Sequence, residues 1–476
     1  MISNRLSRWT LVFFACALVN FLAAQGVILS GASWPMQPVS APGTLVAVHL
    51  LTIGWLLLLM LGALFQFIPV ITSNVLPSQH LELATLGAIE AGLLLMICGF
   101  IGMGLGAAPI VRCLPVGGAL VIAGVLLACY DLGVPLLKAR PLTLPGRMVL
   151  TGLVFLLATI TLGLLFALAI SVPALSGRLG VLLANGVSLH ALAGLGGWFT
   201  LTAMGVTYKL VPMFTLAPEE RGLAGELVHD LAAVGFALAL IFGLLHIWLP
   251  SRVLQGVEYA GYLLVAAGIG IYLWDMARIY RTRRRTVLEL HNKAAVGAFA
   301  LLGACVVMAL VLAGLGRLAS DAAVFVFLAV FGWLSGLGLT QLYKIVPFLA
   351  WLGRFGQKLG RGPVPRVQDL VNEGRGYPWF IIYFIGISLA VLAAFSGEFY
   401  VFRAGIGLGV IATLGLMLEY WRAWRGYYAA RKPQVAPKLP PFMTGIPAVA
   451  NPHAAKGPAM ISPITDKYGA SHDEHP

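Results

Sequence analysis

The sequence has little charge: Asp, Glu, Lys and Arg together make up 10% of its 476 residues. Hydrophobic residues account for 59%, and the mean hydropathy is +0.91. Both values are far outside the range of ordinary soluble domains. The shortage of charge therefore excludes a soluble globular protein and predicts an integral membrane protein whose first partner is the lipid bilayer.

Cysteine is also scarce, and the five that are present show no Cys-x-x-Cys or other paired spacing. This excludes a disulfide framework and a zinc site of the usual spacing. The sequence has no nucleotide-binding loop or nucleophile motif, and the string "GFIGMGLG" follows no strand, which indicates helix packing. The basic run "RIYRTRRRT" at 278–286 lies between two apolar runs, so it predicts retention on one side of a membrane and no nucleic-acid partner.

Apolar runs of about twenty residues, the length that crosses a bilayer as a helix, occupy most of the chain. They predict an all-α polytopic protein of about 12 transmembrane helices. The first run is interpreted as a retained span, since it is long and eleven others follow. The predicted spans are 10–30, 43–69, 82–107, 115–136, 148–172, 183–211, 228–249, 257–276, 294–315, 322–348, 379–396 and 402–421.

Lysine and arginine are distributed unevenly around these spans. With the N-terminus inside, the inner segments hold 26 of the 31 basic residues and the outer segments hold 5. By the positive-inside rule, both termini are predicted to be cytoplasmic, in a bacterial-type inner (cytoplasmic) membrane. Residues 1–425 form the predicted transmembrane domain, and the Pro- and Ala-rich segment 426–476 is predicted to be a disordered cytoplasmic tail.

One helix pattern occurs three times. The chain has three Gly-Trp dipeptides, and a proline follows each Trp after fourteen residues. The pairs are Trp55 with Pro69, Trp198 with Pro212, and Trp333 with Pro347. An internal repeat explains this spacing. It predicts three pseudo-symmetric four-helix arcs at about 10–136, 148–276 and 294–421, with the repeated helix as the second span of each arc.

Polar residues inside predicted spans are the candidates for chemistry, because they are costly to keep in a bilayer. His49, His190 and His246 come from spans 2, 6 and 7 and are predicted to share the outer half of the membrane. Imidazole binds haem iron and copper, although a hydrogen bond to a backbone carbonyl is the alternative role for each. Glu90, within span 3, is a candidate proton-relay or gating group, or the partner in an interhelical hydrogen bond. Asp131 is a weaker candidate of the same kind.

The chain resembles subunit I of the haem-copper oxidases, which include nitric oxide reductases, and more loosely the NnrS family. The resemblance rests on twelve spans, three arcs and the histidines of spans 2 and 6. It implies haem b bound by His49 in "HLLTIGW", and copper bound by His190 with His246 as a further ligand. The span 10 stretch 322–336 has no histidine, and span 7 has no adjacent histidine pair. A complete binuclear centre is therefore not expected, and no catalytic residue is assigned.

Three functions remain as alternatives. The first is a protein that binds haem, and copper if His190 and His246 ligate it, for electron transfer, nitric oxide or oxygen handling, or oxidase support. Its partners would be a redox protein or other respiratory subunits, and any catalysis would be of oxidoreductase type. The second is a cofactor-free transporter or channel for a proton, metal ion or small solute. The third is an assembly partner in a respiratory complex.

Overall fold

The computed structural model describes residues 4–78, 80–218, 222–358 and 363–429. In these ranges every regular element is a helix, and twelve helices are long and apolar enough to cross a membrane, which confirms the predicted all-α polytopic architecture. Spans 1 to 12 are Arg8–Leu29, Pro42–Thr72, Leu81–Gly104, Ala108–Lys138, Leu144–Ser171, Pro173–Thr215, Leu223–Trp248, Arg252–Thr282, Leu290–Gly314, Ala322–Lys358, Glu373–Ser396 and Phe399–Arg425. Most of the predicted tail, 430–476, lies outside the described residues.

Two spans are longer than their apolar runs predict. Span 6 begins at Pro173, ten residues before the predicted start, and span 10 continues to Lys358, ten residues past the predicted end. The added segments contain Arg178 and Arg354, whose charges lower the local hydropathy without preventing helix formation. At 1.5 Å per residue, both helices exceed the ~30 Å thickness of the hydrocarbon layer.

The three copies of the repeated helix share a backbone irregularity. Each contains a π-helical segment around its Gly-Trp pair: Leu50–Leu57, Leu192–Thr200 and Leu328–Ser335. The Trp side chain of each segment is at most 1% exposed. A π-helical turn widens the helix and is frequently found at functional sites. The repeat prolines lie inside the helices rather than ending them: the first two precede the helix end by three residues, and the third by eight.

The third and fourth span of each predicted arc meet through two glycines. A methyl carbon on either glycine of a pair would lie 2.6–2.8 Å from the carbonyl oxygen of the other, so only glycine allows this approach. The pairs are Gly92 with Gly117 (spans 3 and 4), Gly235 with Gly261 (spans 7 and 8), and Gly386 with Gly405 (spans 11 and 12).

Neighbouring spans pack in chain order, and span 12 also packs against span 1, which closes the bundle. The end of the bundle where span 2 finishes and span 3 begins is called the inner end. Within the described ranges, the π-helical segments and the glycine pairs recur at matching places in each group of four spans. Such recurrence is what three arcs would produce, and the pseudo-symmetry of the arcs themselves stays a prediction.

Candidate functional site

His49 occupies the position directly before the π-helical segment of span 2. Its Nδ1 atom lies 2.7 Å from the Leu45 carbonyl oxygen, and its ring packs against Phe100 of span 3 at 4.8 Å between centroids. A carbonyl oxygen only accepts hydrogen bonds, so the His49 Nδ1 carries the proton. The Nε2 atom has no hydrogen-bond partner among the described residues and keeps its lone pair, which is the atom that would ligate a metal.

His190 lies two residues before the π-helical segment of span 6. Its Nδ1 donates a hydrogen bond to the Thr159 carbonyl oxygen of span 5 at 3.0 Å, and its ring contacts Phe166 at 5.5 Å between centroids. Gly163 of span 5 makes room for the ring, since a methyl carbon there would lie 3.2 Å from the imidazole Cε1. Its Nε2 is likewise left as an unprotonated acceptor with no partner in the described part of the chain.

His49 and His190 lie next to the π-helical segments of two different spans, and each is partly buried. Each donates its Nδ1 proton to a backbone carbonyl oxygen, so both imidazoles have the same tautomer. The two side chains also interact electrostatically. The sequence assigned them to two centres, haem and copper, and that assignment stays a prediction.

His246 has a different hydrogen-bonding role. Its Nδ1 accepts a hydrogen bond from the Ser251 backbone N–H at 3.2 Å, which fixes the turn between spans 7 and 8. Across the described ranges, no group of three or more His, Cys, Asp or Glu side chains is arranged to hold a metal ion. The copper assignment to His190 and His246 stays a prediction, and the described residues supply no third ligand for it.

Glu90 connects three spans. Its Oε1 accepts a hydrogen bond from the Asn20 Nδ2 of span 1 at 2.9 Å, and it also interacts with the Cys16 thiol. The same Asn20 Nδ2 lies 3.4 Å from the Gly54 carbonyl oxygen, inside the π-helical segment of span 2. This is the interhelical hydrogen bond that the sequence offered as an alternative, and the relay or gating role stays a prediction.

Span 10 carries an aromatic residue where span 2 carries its histidine. Phe327 precedes Trp333 by six residues, as His49 precedes Trp55. The Phe327 ring is fully buried and stacks on Phe331 at 4.6 Å between centroids. Trp34 and Phe402 complete this cluster at 5.3 and 5.6 Å from Phe327. The third copy of the helix therefore uses this position for packing.

The sequence indicated Asp131 but not the set of three buried acids at the inner end to which it belongs. Each lies fourteen residues after the glycine of its close pair and is at most 4% exposed: Asp131 after Gly117, Asp275 after Gly261, and Glu419 after Gly405. Alignment of the three predicted arcs on these glycines would have found the spacing.

Glu289, directly before span 9, is a further buried acid that the sequence did not indicate. Its carboxylate accepts from Lys344 at 2.5 Å, pairs with Arg285 at 2.7 Å and lies 3.5 Å from His291. Burial acts to raise the pKa of Glu289, but the hydrogen bond from Lys344 and the neighbouring positive charges hold the pKa below its ordinary value. Glu289, His291 and Lys344 line a small cleft. The cluster joins two spans, so no local pattern indicates it.

No protein-family model matches this chain, and a search of curated proteins finds no match.

Proposed function

We propose that the protein is a haem-binding membrane protein in which His49 and His190 would together hold a single haem b. The observation that carries the proposal is the pair itself. The two imidazoles come from different spans and interact electrostatically. Each has its Nδ1 proton committed to a backbone carbonyl oxygen, and neither Nε2 has a hydrogen-bond partner among the described residues. One or two protein side chains hold a haem iron, so two histidines are sufficient.

The residues around the pair fit such a group. A ligating histidine usually donates its other ring N–H to a carbonyl or carboxylate, which fixes the tautomer and the ring orientation. Leu45 and Thr159 supply those carbonyls. Phe100 and Phe166 pack against the two rings and limit the access of water.

When bound, the haem would supply one-electron redox chemistry. A haem held by two histidines would serve electron transfer or oxidase support rather than the binding of nitric oxide or oxygen. The chain's own contribution is to hold both imidazoles neutral and correctly oriented, so that no proton has to leave when the iron binds. We place the protein in a bacterial-type cytoplasmic membrane with both termini in the cytoplasm, exchanging electrons with a redox protein or another respiratory subunit.

The test is the oxidised and dithionite-reduced visible spectrum of the detergent-purified full chain, expressed with ample haem, with iron and copper measured on the same sample. We expect a Soret band and sharp reduced α-bands. His49→Ala and His190→Ala should each abolish the α-bands, because each removes one of the two side chains that would hold the haem. The control is His246→Ala, which changes a histidine of the neighbouring span and should leave the spectrum intact.

The other possible outcomes would refute the paired ligation or haem binding itself. If His190→Ala removes copper and leaves the haem spectrum unchanged, then His190 belongs to a copper site and the paired ligation is wrong. A colourless, iron-free wild type refutes haem binding altogether. The cofactor-free transporter or channel then becomes the leading function. Its supporting observation is Glu90, a carboxyl held at the junction of spans 1, 2 and 3.

A further inference from the structure

The three buried acids at the inner end differ in whether an arginine pairs with them. In spans 8 and 12 the acid is followed three residues later by an arginine that pairs with it. Asp275 lies 3.0 Å from Arg278, and Glu419 lies 2.5 Å from Arg422. A buried carboxylate is costly without such compensation, so these two sites are neutralised within the chain.

In span 4 the arginine is missing. Val134 follows Asp131 at the matching position. One carboxylate oxygen of Asp131 accepts a hydrogen bond from the Ser78 backbone N–H at 3.0 Å, and the other is buried with no hydrogen-bond partner among the described residues.

Span 3 has a second carboxyl group at a position where spans 7 and 11 have a glycine. Glu82 precedes Gly92 of its close pair by ten residues, and the residues at the same distance before Gly235 and Gly386 are glycines. The Glu82 side chain is 2% exposed, and neither of its oxygens has a hydrogen-bond partner in the described part of the chain. Glu82 and Asp131 lie on spans 3 and 4, which the glycine pair Gly92 and Gly117 holds in close contact, and the two carboxyls interact electrostatically. Two acids thus share one buried region without the basic partner used elsewhere.

A buried hydroxyl group one turn after Glu82 also indicates a ligand. Thr85 follows Glu82 by one turn on the face of span 3 that packs on span 4, where its carbonyl oxygen approaches Gly124. The Thr85 side chain is fully buried, and its Oγ1 has no hydrogen-bond partner among the described residues. The titratable group that interacts with Glu82 from outside is the exposed His80. The buried atoms are all oxygens, the ligands that hard cations prefer.

We propose that Glu82, Asp131 and Thr85 form a binding site for a hard metal cation at the inner end of spans 3 and 4, with protons as competitors. The charge of the cation would replace the arginine that neutralises the matching acid in spans 8 and 12. The site is separate from His49 and His190 and does not depend on haem binding.

The experiment is thermal unfolding of the purified full chain, followed by tryptophan fluorescence, in choline chloride and with added NaCl, MgCl₂ or CaCl₂ at matched ionic strength. A ligand that binds the folded state raises the melting temperature in a saturable way. We expect one of these cations to do so, and the increment to shrink at acidic pH, where protons compete for the carboxylates.

Three variants locate the effect. Glu82→Gln should abolish the cation-dependent increment, whatever it does to the stability in choline chloride. Val134→Arg supplies the missing arginine, so it should also abolish the increment while keeping both carboxyls. Glu226→Gln is the matched control, because Glu226 is a half-exposed acid at the inner end of span 7, paired with Arg147, and should leave the increment unchanged.

The readout is the difference between cation and choline for each variant, so a variant of low stability still reports. An equal response to all the salts would overturn the proposal, since ionic strength alone would then be acting. A wild type that responds to pH and to no metal cation would also overturn it and leave a proton-binding pair. If Glu82→Gln does not fold, Val134→Arg and Glu82→Gly, which installs the residue of the other two copies, decide the question.

Discussion

Replacing Gly405 by alanine would place a methyl carbon 2.6 Å from the Gly386 carbonyl oxygen and 2.8 Å from the Ala390 backbone nitrogen. Both atoms belong to the backbone of span 11, so neither can move aside without shifting the helix. Overpacking of this kind costs about 1–3 kcal/mol. Alanine also favours a helix over glycine by about 0.8–1 kcal/mol, which offsets part of the loss.

Gly407, two residues further along the same helix, provides the matched control. A methyl carbon on Gly407 meets nothing within 4 Å, so Gly407→Ala keeps the gain in helix preference without the overpacking. The propensity term is common to both variants and cancels in their comparison. Gly405→Ala should therefore be less stable than Gly407→Ala by about 1–3 kcal/mol.

The assay is equilibrium unfolding of both variants in mixed detergent micelles, followed by the fluorescence of the 11 tryptophans. Spectra taken before unfolding check that each variant is folded. Equal unfolding free energies for the two variants would show that spans 11 and 12 adjust freely, and would refute the claim that the glycine pair fixes their separation. The same comparison applies to the close pairs of spans 3 and 4 and of spans 7 and 8.

Three further predictions concern single contacts. Gly163→Val should displace the His190 ring and lower the haem content of the purified protein, measured as iron per chain; an unchanged content would argue against His190 as a ligand. Ser335→Ala should destabilise the fold by about 1–3 kcal/mol, because it leaves the buried Trp55 Nε1 without its 2.9 Å acceptor, while Ser335→Thr should restore stability in thermal unfolding. The pKa of Glu289 is lower in the folded chain than its ordinary value of 4.5, so its contribution to stability is present above pH 4.5 and is lost as the pH falls through the folded value. Glu289→Gln should remove that part of the acid dependence, and an unchanged acid-unfolding curve would contradict this.

The haem and cation proposals fail independently. A colourless protein that is still stabilised by one cation would retain the site at Glu82 and Asp131 and lose the one at His49 and His190. A haem protein with no response to cations would do the reverse. The two sets of variants share no residue, and the two readouts, absorbance and unfolding temperature, do not depend on each other.

Much of the architecture could be predicted from the sequence alone. Twelve spans follow from hydropathy, because the requirement to bury apolar residues and satisfy the backbone in lipid acts on each segment separately. The repeated helix follows from the spacing of Trp55 and Pro69 and its two other copies. The predicted start of span 6 and the predicted end of span 10 were less accurate, because Arg178 and Arg354 lower the local hydropathy without ending a helix.

The contacts between spans were decided by the tertiary structure. His49 and His190 are 141 residues apart in the chain, and the His190 hydrogen bond to the Thr159 carbonyl oxygen depends on how spans 5 and 6 pack. The difference between Val134 and the arginines of the other two copies is present in the sequence. Only the structure shows that Glu82 is buried and interacts with Asp131, so that the missing arginine leaves two acids without this basic partner. Hydropathy and periodicity are local properties of a continuous chain, whereas the partner of a side chain depends on how separate helices pack.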